Sequence, residues 1–163
     1  MQSPRAAPAE ALQTQPAMQT ERRKSPECGE VLIVEDDDAI RRLLAMTFER
    51  EGLPVTSARD GMEALEALRR RPFRVVLLDL MMPRVSGWEV IDWLREHPSE
   101  KPRTLIVVSA TNREVLNELD PMIVNAIVFK PFNVYELTGY VRACCTAPIK
   151  VDRRRKRMIG ATT

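Results

Sequence analysis

Four short apolar runs in this 163-residue chain end in side chains able to do chemistry. Val31 to Val34 is followed by Glu35, Asp36, Asp37 and Asp38, and Val75 to Leu78 by Asp79. Leu105 to Val108 is followed by Ser109 and Ala110, and Ala126 to Phe129 by Lys130 and Pro131. Asp79 is the most informative, because Leu80, Met81 and Met82 continue the apolar run beyond it and an unpaired carboxylate is costly to bury. Crowded carboxylates raise one another's pKa unless a cation intervenes, and hard oxygen ligands suit Mg2+, which takes one or two carboxylates together with phosphate oxygens. A divalent-ion site is the natural compensation. Beside such an ion a carboxylate can attack phosphorus and form an aspartyl phosphate, while a lysine point charge and a hydroxyl donor bind the other phosphoryl oxygens. Lys130 and Ser109 fit those parts. Asp37 and Asp38 are better read as capping acids of a following helix than as ligands.

The elements that must bring these residues together follow from the pattern around them. The four apolar runs read as buried strands, and Pro54 to Ala58, where Val55 alone is strongly apolar, as an edge strand. Between them lie helical stripes: Ile40, Leu43, Leu44, Thr47 and Phe48; then Met62, Leu65 and Leu68 behind a capping box at Asp60-Gly-Met-Glu63. Val90, Ile91 and Leu94 mark a third, Val115, Leu116 and Leu119 a short fourth, and Leu137, Val141 and Cys144 a fifth that Asn133 would cap. Five strand and helix pairs in alternation imply a doubly wound α/β fold, a parallel sheet with both faces covered. In such a sheet ligands sit beyond the carboxyl ends of the strands, where Glu35, Asp36, Asp79, Ser109 and Lys130 all fall.

With these residues in place the segment from 30 to about 146 resembles the response-regulator receiver domains of two-component signalling, of the CheY-like, single-domain type. Val31-Leu-Ile-Val-Glu-Asp-Asp matches the first strand and its acidic pair, and Val76-Leu-Leu-Asp79-Leu-Met-Met-Pro83-Arg-Val-Ser-Gly87 the phosphoacceptor strand and loop. Ser109-Ala110 matches the switch hydroxyl and Lys130-Pro131-Phe132 the lysine followed by a cis-proline. The resemblance implies a flavodoxin-like (βα)5 sandwich whose five-stranded sheet has the order 2-1-3-4-5. It implies Asp79 as phosphoacceptor, and Mg2+ held by Asp36, Asp79 and the backbone carbonyl of Met81, with Glu35 behind them. Two positions depart from the family pattern. Ile127 stands where many members carry an aromatic switch residue, and Ser86 where many have Asp or Asn before the loop glycine.

Composition bounds the remaining readings. With 44% apolar and 29% charged residues the chain is that of one globular domain with tails, and its apolar runs are far too short to span a bilayer. A cytoplasmic location is the expectation. Residues 1–28, rich in Pro, Ala, Gln, Ser and Thr, are expected to be a disordered extension, 29–147 the receiver domain, and 148–163 a basic tail. The three cysteines, Cys28, Cys144 and Cys145, are too few and too close to make a disulfide framework or a zinc site and are expected as reduced thiols. The sole histidine, His97, precedes a proline at an expected helix end, so the phosphoryl donor should be another molecule: a sensor histidine kinase or a phosphotransfer protein. The output should be binding to a downstream protein target, with a phosphorylation-dependent homodimer as a further partner. Arg153-Arg-Arg-Lys-Arg157 is the one feature favouring nucleic acid, and it lacks interleaved aromatics, so no specific nucleic-acid partner is expected. Two other roles compete, a phosphate carrier in a phosphorelay and a Mg2+-dependent phosphatase passing through an aspartyl phosphate. The phosphatase needs a second acid two residues beyond the nucleophile, and Met81 stands there.

Overall fold

The computed structural model describes residues 29–146 and 157–159. In chain order the elements are β1 (Val31–Val34), α1 (Asp38–Arg50), β2 (Val55–Ala58), α2 (Gly61–Arg70), β3 (Val75–Asp79) and α3 (Gly87–Glu96). They continue with β4 (Thr104–Ser109), the short α4 (Arg113–Leu116), β5 (Ala126–Phe129), α5 (Val134–Thr146) and β6 (Arg157–Ile159).

Alternate residues of each central strand enter different cores. Leu32, Val34, Val76, Leu78, Leu105, Val107 and Ile127 face one way, toward Ala64 and Leu68 of α2, Val90, Ile91 and Leu94 of α3, and Leu116. Val31, Ile33, Val75, Leu77, Ile106, Val108, Ala126 and Val128 face the other, toward Leu44 and Phe48 of α1 and Leu137, Val141 and Cys145 of α5. Both faces are covered, and so the strands carry apolar residues without alternation.

The sheet is parallel throughout, in the order β2-β1-β3-β4-β5-β6. The expected order 2-1-3-4-5 is present, and a sixth strand extends it. β6 pairs with β5 through Ala126 with Arg157, Ile127 with Met158 and Val128 with Ile159. Three residues of the segment expected as a plain basic tail are therefore part of the sheet. The expected extension over residues 1–28 and the rest of the tail lie outside the described residues.

Capping agrees with the sequence in part. Asp37 caps α1, accepting from the Ala39 and Ile40 amides at 2.8 and 3.0 Å, and Asn133 accepts from Tyr135 at 2.9 Å at the start of α5. Asp60 caps α2 through Glu63 N–H, but the Glu63 carboxylate takes the amide of Arg59 rather than that of Asp60. The complete reciprocal box belongs to Ser86 and Glu89 of α3. Leu43 and Met62, assigned by sequence to buried stripes, are exposed, and Cys145 rather than Cys144 is the buried cysteine of α5. Neither described cysteine forms a disulfide.

Candidate functional site

The parallel sheet places the ends of β1, β3, β4 and β5 along one edge. Glu35 leaves β1 with its amide on the carbonyl of Ala58 at 3.1 Å, and the Lys130 amide donates to the Ser109 carbonyl at 3.0 Å. Ladder register sets Asp79 beside Val108 and Ser109 beside Phe129. Hydrogen bonding of the sheet thus fixes which side chains meet.

At this edge Lys130 Nζ lies 2.5 Å from Asp79 Oδ2 and 2.8 Å from Glu35 Oε2. The two carboxylates are almost closed to solvent, at 4% and 2% exposure for their residues, so the ammonium is the counter-charge that makes their burial tolerable. The other oxygen of Asp79 accepts the amide of Met81 at 2.9 Å. Glu35 keeps a pKa above the ordinary carboxylate value, because burial outweighs the stabilising hydrogen bond and charge of Lys130. Burial acts against the charged form of Lys130 as well, but its bonds to Asp79 and Glu35 prevail and raise its pKa.

Asp36 is exposed at the rim, and Glu35, Asp36 and Asp79 each offer a carboxylate oxygen within 4.8 Å of the other two. Three hard oxygen donors that close, one of them open to water, fit a small divalent cation that retains part of its hydration shell. Met81, on the exposed loop after β3, adjoins this group. Ser109 is buried, and its hydroxyl donates to Thr111 Oγ1 at 2.8 Å while accepting the Thr111 amide at 3.1 Å. Ile127 is fully buried in the core on the α2–α3 side of the sheet. The Lys130–Pro131 bond is cis.

Sequence reasoning missed Arg41. Its guanidinium donates to the carbonyls of Glu35 at 2.8 Å and Asp36 at 3.3 Å and pairs with Asp38, so α1 secures the acidic loop. Position Gly87 is equally constrained. A Cβ there would stand 2.2 Å from the carbonyl oxygen of Asp79 and 2.7 Å from Cα of Leu80. These obstacles are backbone and cannot rotate away. Gly87→Ala should therefore lower stability by about 3 kcal/mol, the upper range for overpacking. For a domain of this size that is a thermal midpoint lower by roughly 12 °C. A midpoint within 2 °C or so of the parent protein, within ordinary measurement scatter, would contradict the tight approach of α3 to the end of β3.

Sequence comparison matches residues 31–142 to the family model described as Response regulator receiver domain. The chain belongs to the response-regulator receiver family. Receiver domains are modules of two-component systems, act as phosphoacceptor switches and bind Mg2+ at acidic residues. Among curated relatives, the transcriptional regulatory protein YkoG of Bacillus subtilis is 38% identical over 117 residues, covering 72% of this chain and 51% of the relative. The chain thus spans about half the length of that relative. Among solved structures, the receiver domain of Francisella response regulator 1452 superposes with a TM-score of 0.65 at 29% identity, covering 71% of this chain and 95% of the other. TrrA of Thermotoga maritima, solved in complex with Mg2+ and BeF, gives a TM-score of 0.61 at 29% identity, covering 71% and 98%. Among the described residues of this receiver, no helix is long and apolar enough to cross a membrane.

Proposed function

We propose that this receiver accepts a phosphoryl group on Asp79, with Mg2+, from a histidine kinase or phosphotransfer protein. The observation that carries the reading is the grouping of Asp79, Glu35 and Lys130 in direct contact at the carboxyl ends of β3, β1 and β5, with Asp36 at the rim. Asp36, Asp79 and the carbonyl of Met81 would hold the ion, with Glu35 behind them. The bound ion would neutralise charge that builds on the phosphoryl oxygens during transfer. An oxygen of Asp79 attacks phosphorus as the phosphorus–nitrogen bond of the donor breaks, and the electron pair leaves with the donor imidazole. Lys130 then transfers one of its contacts from a carboxylate to a phosphoryl oxygen. Ser109 leaves Thr111 to donate to another.

The donor is a separate molecule in this reading. His97 caps the far end of α3, stacked on Trp93 with ring centroids 4.3 Å apart. The helix begins beside Asp79, and ten residues at about 1.5 Å each carry its end roughly 15 Å away. Movement of Ser109 would pass through β4 and β5 to the surface of α4, β5 and α5, where exposed Tyr135 offers a contact for a downstream protein or for a second copy of the chain. Buried Ile127 would report the change through packing, since no aromatic ring stands at that position. YkoG is a transcriptional regulatory protein about half of which matches here, so DNA as the eventual target of a larger assembly is compatible with the comparison.

The test is phosphorylation itself. Incubation with Mg2+ and acetyl phosphate should add one phosphoryl group that is labile to acid and to base, and omission of Mg2+ should prevent it. A stable modification, or one formed equally well without the ion, would refute the reading.

A further inference from the structure

The loop between β3 and α3, which carries Met81, is held at two places, one within the acidic cluster and one outside it. Its first part is tied to its own strand and helix, by Met81 N–H on Asp79 Oδ1 at 2.9 Å and by Gly87 N–H on the Leu80 carbonyl at 3.1 Å. Its middle is tied to α2 instead. Gly61 N–H donates to the carbonyl of Val85 at 3.2 Å, and the Arg84 guanidinium pairs with Asp60 Oδ2. Asp60 is only 3% exposed, whereas Arg84 reaches in from the surface at 62%. Val85 packs so close to α2 that a Cβ on Gly61 would stand 2.5 Å from its side chain and its carbonyl oxygen.

Two features show that capping alone does not account for Asp60. A cap needs one carboxylate oxygen, and Oδ1 supplies it to Glu63 N–H at 2.9 Å, leaving Oδ2 for the arginine 24 positions away. Arg84 also has φ +67°, the one non-glycine residue in the left-handed region among the described residues. That conformation is unfavourable for an L side chain, and it persists where surrounding contacts impose it.

We propose that Asp60 and Arg84 form a positioning latch. By fixing the loop to the N-terminus of α2, the pair presents the Met81 segment to Mg2+ already in place, so that affinity for the ion depends on a contact outside the ligand set. This rests on the metal site proposed above. Ordering a mobile loop upon binding would cost affinity, and the latch removes that cost in advance.

Asparagine separates the two duties of Asp60, because Asn caps helices about as well as Asp but leaves the guanidinium without a negative partner. Arg84→Gly separates charge from backbone strain, since glycine accepts the left-handed φ and cannot make the ion pair. Mg2+ titrated calorimetrically into the full chain should bind about tenfold more weakly in Asp60→Asn and in Arg84→Gly, the lower end of what loss of a supporting contact costs a metal site. The double variant should be no weaker than either single one, while metal-free thermal midpoints stay within a few degrees of the parent. Affinities within twofold of the parent in the single variants, or losses that multiply in the double variant, overturn the latch. Asp36→Ala run alongside keeps two failures apart. Parent-like affinity in Asp36→Ala overturns the metal site, and the latch with it. Lost affinity there, with unchanged affinity in the Asp60 and Arg84 variants, overturns the latch alone.

Discussion

Asp79→Asn should accept no phosphoryl group from acetyl phosphate or a phosphorylated kinase, while remaining folded. Five carboxylates lie at or near this sheet edge, Glu35 to Asp38 and Asp79, and three of the alternatives are occupied. Asp37 caps α1, Asp38 pairs with Arg41, and Glu35 is held by Lys130 under almost complete burial. Asp36 is exposed, but its backbone carbonyl is secured by Arg41 and its carboxylate is the open side of the proposed ion site. Glu35 shares the strand end, the lysine contact and the acidic neighbours, but Asp79 stands at the phosphoacceptor position of the family motif Val76 to Gly87. An amide has nearly the same shape, retains an oxygen acceptor for the Met81 amide or for Lys130, and is a far poorer nucleophile. The measurement is stoichiometric incorporation followed by mass, with circular dichroism confirming the fold. Incorporation of half a phosphoryl group or more, roughly speaking, in a well-folded Asp79→Asn would move the acceptor to Asp36.

Lys130→Ala is the second large effect, and its direction depends on metal. Without divalent ions, removal of the ammonium leaves two buried carboxylates facing each other, a change that costs about 3 kcal/mol at neutral pH by analogy with broken buried pairs. The deficit should shrink on acidification. Glu35 already binds its proton more tightly folded than unfolded, where its value is near 4.5, and loss of Lys130 strengthens that preference. An acid with a raised folded pKa favours the native state as pH falls toward and through that value, so stability of the variant rises between neutrality and the ordinary glutamate range. Mg2+ should restore most of the lost stability and should bind the variant more tightly than the parent, since no ammonium competes for the carboxylates. Urea unfolding at several pH values, with and without Mg2+, reads all three. A deficit independent of both pH and Mg2+ would show that the lysine stem, not its charge, stabilises this edge.

Much of the fold was legible because burial on two faces leaves a mark in sequence. Val31–Val34 stands out as an apolar run between Glu30 and Glu35 and Ala126–Phe129 as one between Asn125 and Lys130, and β2 was readable as an edge strand from its single strong apolar residue, Val55. Site residues were legible for the same reason, each lying where such a run stops. Contacts between distant residues were not. Arg84 meets Asp60 across 24 positions, and a loop arginine carries no local sign of its partner. Leu43 was misplaced because helical spacing defines a stripe without giving its width. Leu44 and Phe48, one turn apart, fill the contact with the sheet, and Leu43 falls outside it. β6 was hidden by its neighbours, with Met158 and Ile159 the only apolar pair beside a run of five basic residues.

That last strand changes what counts as the boundary of the domain. A strand at the margin of a sheet offers a row of unpaired amides and carbonyls that invites another chain to continue the ladder. In this protein residues 157–159 occupy that row on β5, alongside Ile127 and within three residues of Lys130. A fragment ending at Thr146, where the family resemblance stops, would uncover it. Self-association or partner capture measured on such a fragment would report on a sticky margin that the longer chain keeps insulated.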